Sequence, residues 1–320
     1  MIPKLKGLER TIIEKKIALS KNHPLLLSLY LDTACNLNCI YCFLDSGKSH
    51  KKEQLFLEQY KNIILQAKNL GVKSVLYFGA GEPLLDTKLF PLIEYSNKLG
   101  LYAVMFTNAT LLTKEITNKI KNLDLSVVAS IKSKNPSILE GLTNVKGSAE
   151  KIYAGFQHLL EVGLNKTKPT RLGMDILICK QTYKEVPELI DYCIKNNIHP
   201  MVESMLWKGR AVKNYDKLAL TTKQKEYLSE ELKNKFPELS KERAFLDGSG
   251  CDLDQYTIFV NYNGDVWQCF SRNIIAGNIK KQTLKQIWNK PLLKQLRINC
   301  KTSNCNICPG RLYNKEKNLS

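Results

Sequence analysis

Cys35-Asn36-Leu37-Asn38-Cys39-Ile40-Tyr41-Cys42 sets three cysteines on one short loop, just after the apolar stretch Leu25 to Leu31. Such a stretch reads as a buried strand. The cysteines then lie just past a strand's C-terminal end, where α/β barrels keep their active sites. Three thiolates can hold three irons of a cubane cluster and leave the fourth iron without a protein ligand. An open iron can bind a substrate or cofactor; a closed one only passes electrons. Structural zinc wants four ligands, usually two Cys-x2-Cys pairs or histidines. Here a fourth is not evident: the nearest downstream histidine, His50, sits in a charged stretch.

Outward from this loop, strand and helix patterns alternate to about residue 206. Strands are expected at Leu25–Thr33, Ser74–Gly79, Tyr102–Thr107, Leu125–Ile131, Leu172–Cys179 and Pro200–Leu206. Helices are expected at Gln54–Leu70, Leu89–Leu99, Lys114–Leu123, Ser148–Val162 and Tyr183–Asn197, with Gly71, Gly100 and Gly163 placed as C-terminal stops. Serial alternation implies a parallel sheet with right-handed crossovers. Six such strands make either an open doubly wound sheet or an incomplete barrel.

With Tyr41 just before its last cysteine, the Cys-x3-Cys-x2-Cys loop resembles the signature of the radical S-adenosylmethionine (SAM) enzymes. The resemblance implies a partial (β/α)6 TIM-like barrel, and a [4Fe–4S] cluster on Cys35, Cys39 and Cys42 whose open iron chelates SAM. It implies reductive cleavage of SAM to a 5′-deoxyadenosyl radical, which takes a hydrogen atom from substrate. At the end of strand two, Phe78-Gly79-Ala80-Gly81-Glu82-Pro83 matches the family's Gly-Gly-Glu element, with Ala80 in place of one glycine. Small residues at a strand end let backbone approach a ligand closely. The resemblance thus assigns Gly79, Ala80, Gly81 and Glu82 to the methionine end of SAM, alongside Tyr41. Ser130 falls where the family contacts the ribose, with Lys132 where an acid often stands; Asn108 ends strand three at the same mouth. On strand six, Val202 lies on the edge that holds the adenine by backbone contacts, and Glu203 or Arg210 faces substrate or carboxylate.

The last 70 residues carry a second cysteine set: Cys251, Cys269, Cys300, Cys305 and Cys308. A hairpin is expected there, Tyr256–Val260 and Val266–Cys269 about an Asn263-Gly264 turn, followed by a helix at Leu284–Leu296. This region resembles the auxiliary-cluster extensions called SPASM and twitch. Five cysteines fit the shorter form, with one auxiliary [4Fe–4S] cluster on Cys251, Cys269, Cys305 and Cys308 and with Cys300 as an alternative ligand; a zinc ribbon uses the same ligand types. The boundaries read as an N-terminal extension over 1–24, a radical SAM barrel over 25–210, a lysine-rich bridge over 211–250 with a helix at Thr222–Lys235, and a small α+β iron–sulfur domain over 251–320. Cys193 reads as core. Cys179, at the end of strand five, reads as a buried small residue or as a hydrogen-atom donor to a substrate radical.

Composition narrows the rest. Hydrophobic residues make up 43%, enough for a real core. No run reaches the roughly 18 apolar residues of a membrane span, and no signal-type core precedes residue 21. A cytoplasmic protein is therefore expected. The net charge is +18, but 41 of the 48 basic residues are lysine and they are spread along the chain. Phosphate binding favours arginine forks, so nucleic acid is not the expected partner. The family implies a flavodoxin or ferredoxin electron donor, and a basic surface suits such acidic partners. Two substrates compete: a peptide oxidised, crosslinked or epimerised in natural-product (RiPP) maturation, or a cyclitol or amino sugar dehydrogenated at one carbon. A two-cluster electron carrier is the non-enzymatic alternative.

Overall fold

The computed structural model describes residues 1–8, 12–49, 53–242, 253–269 and 272–301. Nine strands follow in chain order: β1 (Leu26–Leu29), β2 (Ser74–Tyr77), β3 (Tyr102–Thr107), β4 (Leu125–Ser130), β5 (Leu172–Ile178), β6 (His199–Ser204), β7 (Thr257–Val260), β8 (Asp265–Cys269) and β9 (Arg272–Asn278). They form one sheet in the order β6-β5-β4-β3-β2-β1-β7-β8-β9. The first six strands are parallel neighbours in sequence order, with helical crossovers between them, as in an incomplete TIM-like barrel.

Both faces of the parallel part are covered over much of their length, which accounts for the continuous burial of β1 and β2 and of β4 up to Ser130. One face (Leu27, Leu29, Val75, Met105, Val127 and Ile176) packs against helices Leu57–Asn69, Leu89–Lys98, Ser148–Glu161 and Val186–Lys195. On the other, the lower ends of the strands are closed by the N-terminal segment. Leu5 is 1% exposed there, clustered with Leu26, Leu76, Val104 and Val128. It makes a parallel bridge to Thr170, flanked by Lys6 N–H to Thr170 O at 2.8 Å and Thr170 N–H to Lys4 O at 3.0 Å. Higher on this concave face Phe106, Asp175, Met201 and Glu203 are only half-buried, which marks the open part of the barrel.

The C-terminal hairpin extends the same sheet. β7 lies parallel to β1, and β8 turns back antiparallel through Gly264 at φ 92°. A third strand, β9, pairs antiparallel with β8 and was not expected from sequence. The helix expected over Leu284–Leu296 is two helices, Leu284–Trp288 and Pro291–Lys301. Pro291 disfavours helical backbone at Lys290, so the chain breaks there and restarts with proline in its first turn. A helix at Pro136–Thr143 was also not anticipated. Asn135 caps it, its side chain accepting from Ser137 N at 2.9 Å, and the chain leaves it through Asn144 at φ 54°.

Replacing Leu5 with alanine removes a buried side chain from the barrel floor. A loss of about 2–5 kcal/mol is expected, measurable as a lower urea midpoint.

Candidate active site

The loop after β1 has little secondary structure of its own and is held from four sides. Ala34 bridges Gly47, with Cys35 N–H to Gly47 O at 3.2 Å and Gly47 N–H to Thr33 O at 2.9 Å. The end of helix Pro136–Thr143 accepts Asn38 N–H at Thr143 O (3.1 Å) and Ile40 N–H at Leu142 O (2.9 Å). Arg210 donates to Cys39 O (2.9 Å), Ser46 O (2.7 Å) and Asp45 Oδ1 (2.9 Å), and its own N–H reaches Cys42 O at 2.9 Å. Arg210, which the sequence left between several roles, is therefore a clamp on the cysteine loop. From β3, Asn108 Nδ2 donates to Asn36 Oδ1 at 2.9 Å.

Burial pushes the Cys39 thiol up to about 12 and raises Cys35 as well; neighbouring thiols add to both shifts. Among the described residues, no three His, Cys, Asp or Glu side chains converge on a single ion. Cys35 and Cys39 each feel the charge of neighbouring cysteines of the loop, a proximity that suits a cluster whose separate irons each take one thiolate.

The glycine run meets this loop directly. A Cβ on Gly81 would lie 1.8 Å from Ala34 O, and one on Gly79 would lie 2.1 Å from Gly81 O. Close backbone packing requires glycine at both places, against the cysteine loop at Gly81 and against the turn's own backbone at Gly79. Ala80 has room: its side chain is buried beside Tyr30 and Phe259, and its carbonyl accepts from the Ser46 hydroxyl. Glu82 N–H donates to Ala34 O at 2.7 Å. Its carboxylate is 3% exposed and accepts from Thr107 Oγ1 (2.7 Å), Asn108 N (2.7 Å) and Leu84 N (3.1 Å). Burial still outweighs these donors and moves its pKa up to about 7.

Further along the concave face, Ser130 Oγ donates to Asp175 Oδ2 at 2.9 Å. Lys132, 3% exposed, pairs with the same carboxylate and lies 5.7 Å from the centre of the Tyr41 ring. Lys132 thus gains its acid from β5. Asp175 was not singled out in the sequence, although a lone carboxylate within an apolar strand is the kind of signal that finds such a residue. The Val202 side chain points into the helix-facing core, while Met201 and Glu203 alternate onto the opposite face. Cys179 is fully buried with Leu177 and Met205, donating to Gln181 Oε1 at 3.3 Å, and burial raises its pKa. Cys193 is core, beside Met174.

An aromatic wall faces the charged strands across the concave surface. Phe78 and Phe106 are 4.4 Å apart between ring centres, Tyr30 and Phe78 5.8 Å, and Tyr30 and Trp267 5.7 Å. Trp267 is opposite Phe259 in the hairpin, so Cys269, two residues on, is level with the start of β7 and of β1. The first cysteine loop lies past the other end of β1. Cys269 is half-buried; Cys300 falls in helix Pro291–Lys301; Cys251, Cys305 and Cys308 lie outside the described residues.

A family model described as the radical SAM superfamily matches residues 30–193, and one described as an iron–sulfur cluster-binding domain, SPASM, matches residues 251–309. The AdoMet-dependent heme synthase of Methanosarcina barkeri is 26% identical over 306 residues, covering 86% of this chain and 85% of that protein. The mycofactocin maturase MftC of Mycolicibacterium smegmatis is 23% identical over 303 residues, covering 89% and 75%. Among solved structures, Streptococcus suis SuiB bound to its precursor peptide SuiA is similar in fold, with a TM-score of 0.65 at 21% identity, covering 96% of this chain and 78% of that one.

Two outcomes are expected from this geometry. Gly81→Ala should cost about 3 kcal/mol or more, as overpacking against fixed backbone does, while Ala80→Gly should cost about 1 kcal/mol, the loss of one buried methyl; thermal unfolding separates them. Glu82 titrates near 7 folded against an ordinary 4.5, so the folded chain holds the extra proton between those values and its stability declines as pH rises through that window. Glu82→Gln should flatten that decline in urea midpoints taken from pH 4.5 to 8. A wild-type advantage over the variant that grows with pH would contradict it.

Proposed function

This chain belongs to the radical SAM superfamily, and we propose that it modifies a peptide by hydrogen-atom abstraction, oxidising, crosslinking or epimerising it in natural-product (RiPP) maturation. Its cofactors are a [4Fe–4S] cluster and SAM, and its C-terminal region carries an auxiliary iron–sulfur cluster. When bound, the reduced cluster supplies the electron that splits SAM, and the adenosyl fragment takes hydrogen from the substrate.

The residues present fit these groups. Cys35, Cys39 and Cys42 would hold the first cluster, each on a loop fixed by neighbouring elements. Gly79 to Glu82 and Ser130 border the space beside it. Cys269, with Cys251, Cys305 and Cys308, would hold the second. Phe78, Phe106 and Trp267, backed by the buried Tyr30, would supply an apolar surface for substrate, and the Lys132–Asp175 pair and Glu203 a polar one.

The observation that carries the peptide reading is the lateral opening of the sheet. Among the described strands, β6 ends it on one side and β9 on the other, with no pairing between them. A gap of that kind admits an extended chain across the concave face. The maturase relative and the fold of SuiB support the same reading. A second reading, a tetrapyrrole substrate, is favoured by the match to the heme synthase over most of both chains. Electrons would come from a flavodoxin or ferredoxin drawn to the basic surface. No described helix is long and apolar enough to cross a membrane, and we place the enzyme in the cytoplasm.

Anaerobically reconstituted protein with dithionite should form 5′-deoxyadenosine from SAM. Cys39→Ala should abolish the product; Cys305→Ala should retain abortive cleavage. The reverse pattern would exchange the roles of the two cysteine sets. Deuterium transferred into deoxyadenosine from a labelled peptide, and not from a labelled porphyrin, selects the first substrate reading.

A further inference from the structure

We propose that Asn108 is a positioning residue that donates its side-chain N–H to the Cys35 sulfur of the bound cluster and so raises that cluster's reduction potential, an assignment that rests on Cys35 being a cluster ligand. Asn108 Nδ2 lies 3.9 Å from Cys35 Sγ and 2.9 Å from Asn36 Oδ1. The amide cannot be turned around without loss. Its Oδ1 accepts from Thr110 N at 3.0 Å and from Thr110 Oγ1 at 2.6 Å, so the oxygen is committed to the turn and the NH2 group to the cysteine loop. Asn36 Nδ2 completes the circuit by donating to Thr110 Oγ1 at 2.7 Å. The backbone of Asn108 is held by the buried Glu82 carboxylate. The donor is therefore fixed by four hydrogen bonds of Asn108 and a fifth that links its partners Asn36 and Thr110, before any cluster is present.

Asn108 stands apart from the other contacts to these sulfurs. Cys42 Sγ accepts from Ser46 N at 3.4 Å, within the same loop. Cys39 is approached by Tyr41, also within the loop. Asn108 comes from the end of β3 and ties a sulfur to the glycine-rich turn through Glu82. A reduced cluster carries more negative charge than an oxidised one, so a donor on a coordinating sulfur stabilises the reduced form more. Removing that donor lowers the potential.

The test is an EPR-monitored redox titration of the anaerobically reconstituted full-length chain, wild type against Asn108→Ala and the near-isosteric Asn108→Leu. The auxiliary cluster serves as internal reference. The expected result is a more negative midpoint for the first cluster, with a smaller reduced fraction at a given potential, an unmoved auxiliary signal and an unchanged iron content. A wild-type midpoint in a variant with its full iron complement would overturn the proposal. Loss of the first cluster from both variants would overturn it too, because a donor that only tunes a sulfur is not needed to retain it. The titration involves no SAM turnover or peptide, so its failure is separable from failure of the peptide reading.

Discussion

Buried backbone groups must find partners, and between Thr33 and Gly47 the chain has almost none of its own to offer. Beyond the bridge between Ala34 and Gly47, the supports of the cysteine loop are borrowed: carbonyls at the end of one helix, the guanidinium of Arg210, the amide of Asn108, and the backbone of the glycine run. The barrel is therefore not a neutral platform under the site. The connections after β2, β3, β4 and β6 each supply a fixed partner, and the position of the three sulfurs is the resultant. Metal uptake takes thiolates and releases protons, and burial, which raises Cys39, makes that release harder, so cluster assembly is coupled to the same packing.

The parts of the molecule that repeat were legible in the sequence. Six strands separated by helices have a period, and the ends of helices such as Ser148–Glu161 are punctuated by glycine at the expected place. The cysteine spacing carried the family because a covalent ligand set tolerates little variation. What escaped was local or long-range. The helix Pro136–Thr143 is only two turns long, and its Asn-Pro start is also a turn signal. The pairing of β7 with β1 joins residues more than two hundred apart, which no periodicity records. Asp175 and Arg210 are ordinary charges in sequence; their partners, Lys132 and the cysteine loop, come from other strands and loops. Glu82 belongs to a motif read as ligand-binding, yet its side chain is turned inward to brace β3.

The concave face also gains its meaning only in three dimensions. Aromatic residues of β2, β3 and the C-terminal hairpin form one wall, and charged residues of β4 to β6 form the other. Cys269 and the first cysteine loop sit toward opposite ends of the strands between them. A substrate held on this surface would lie between Cys269 and the first cysteine loop.

β1 has a hydrogen-bonded neighbour on both sides, β2 from the first third of the chain and β7 from the last. During synthesis the segment that carries the cysteine loop therefore emerges from the ribosome long before its second neighbour exists. Until residue 257 follows, one row of its amides and carbonyls is open to any other extended strand. The nascent chain thus has an adhesive seam beside its three loop cysteines, closed only by the last quarter of translation.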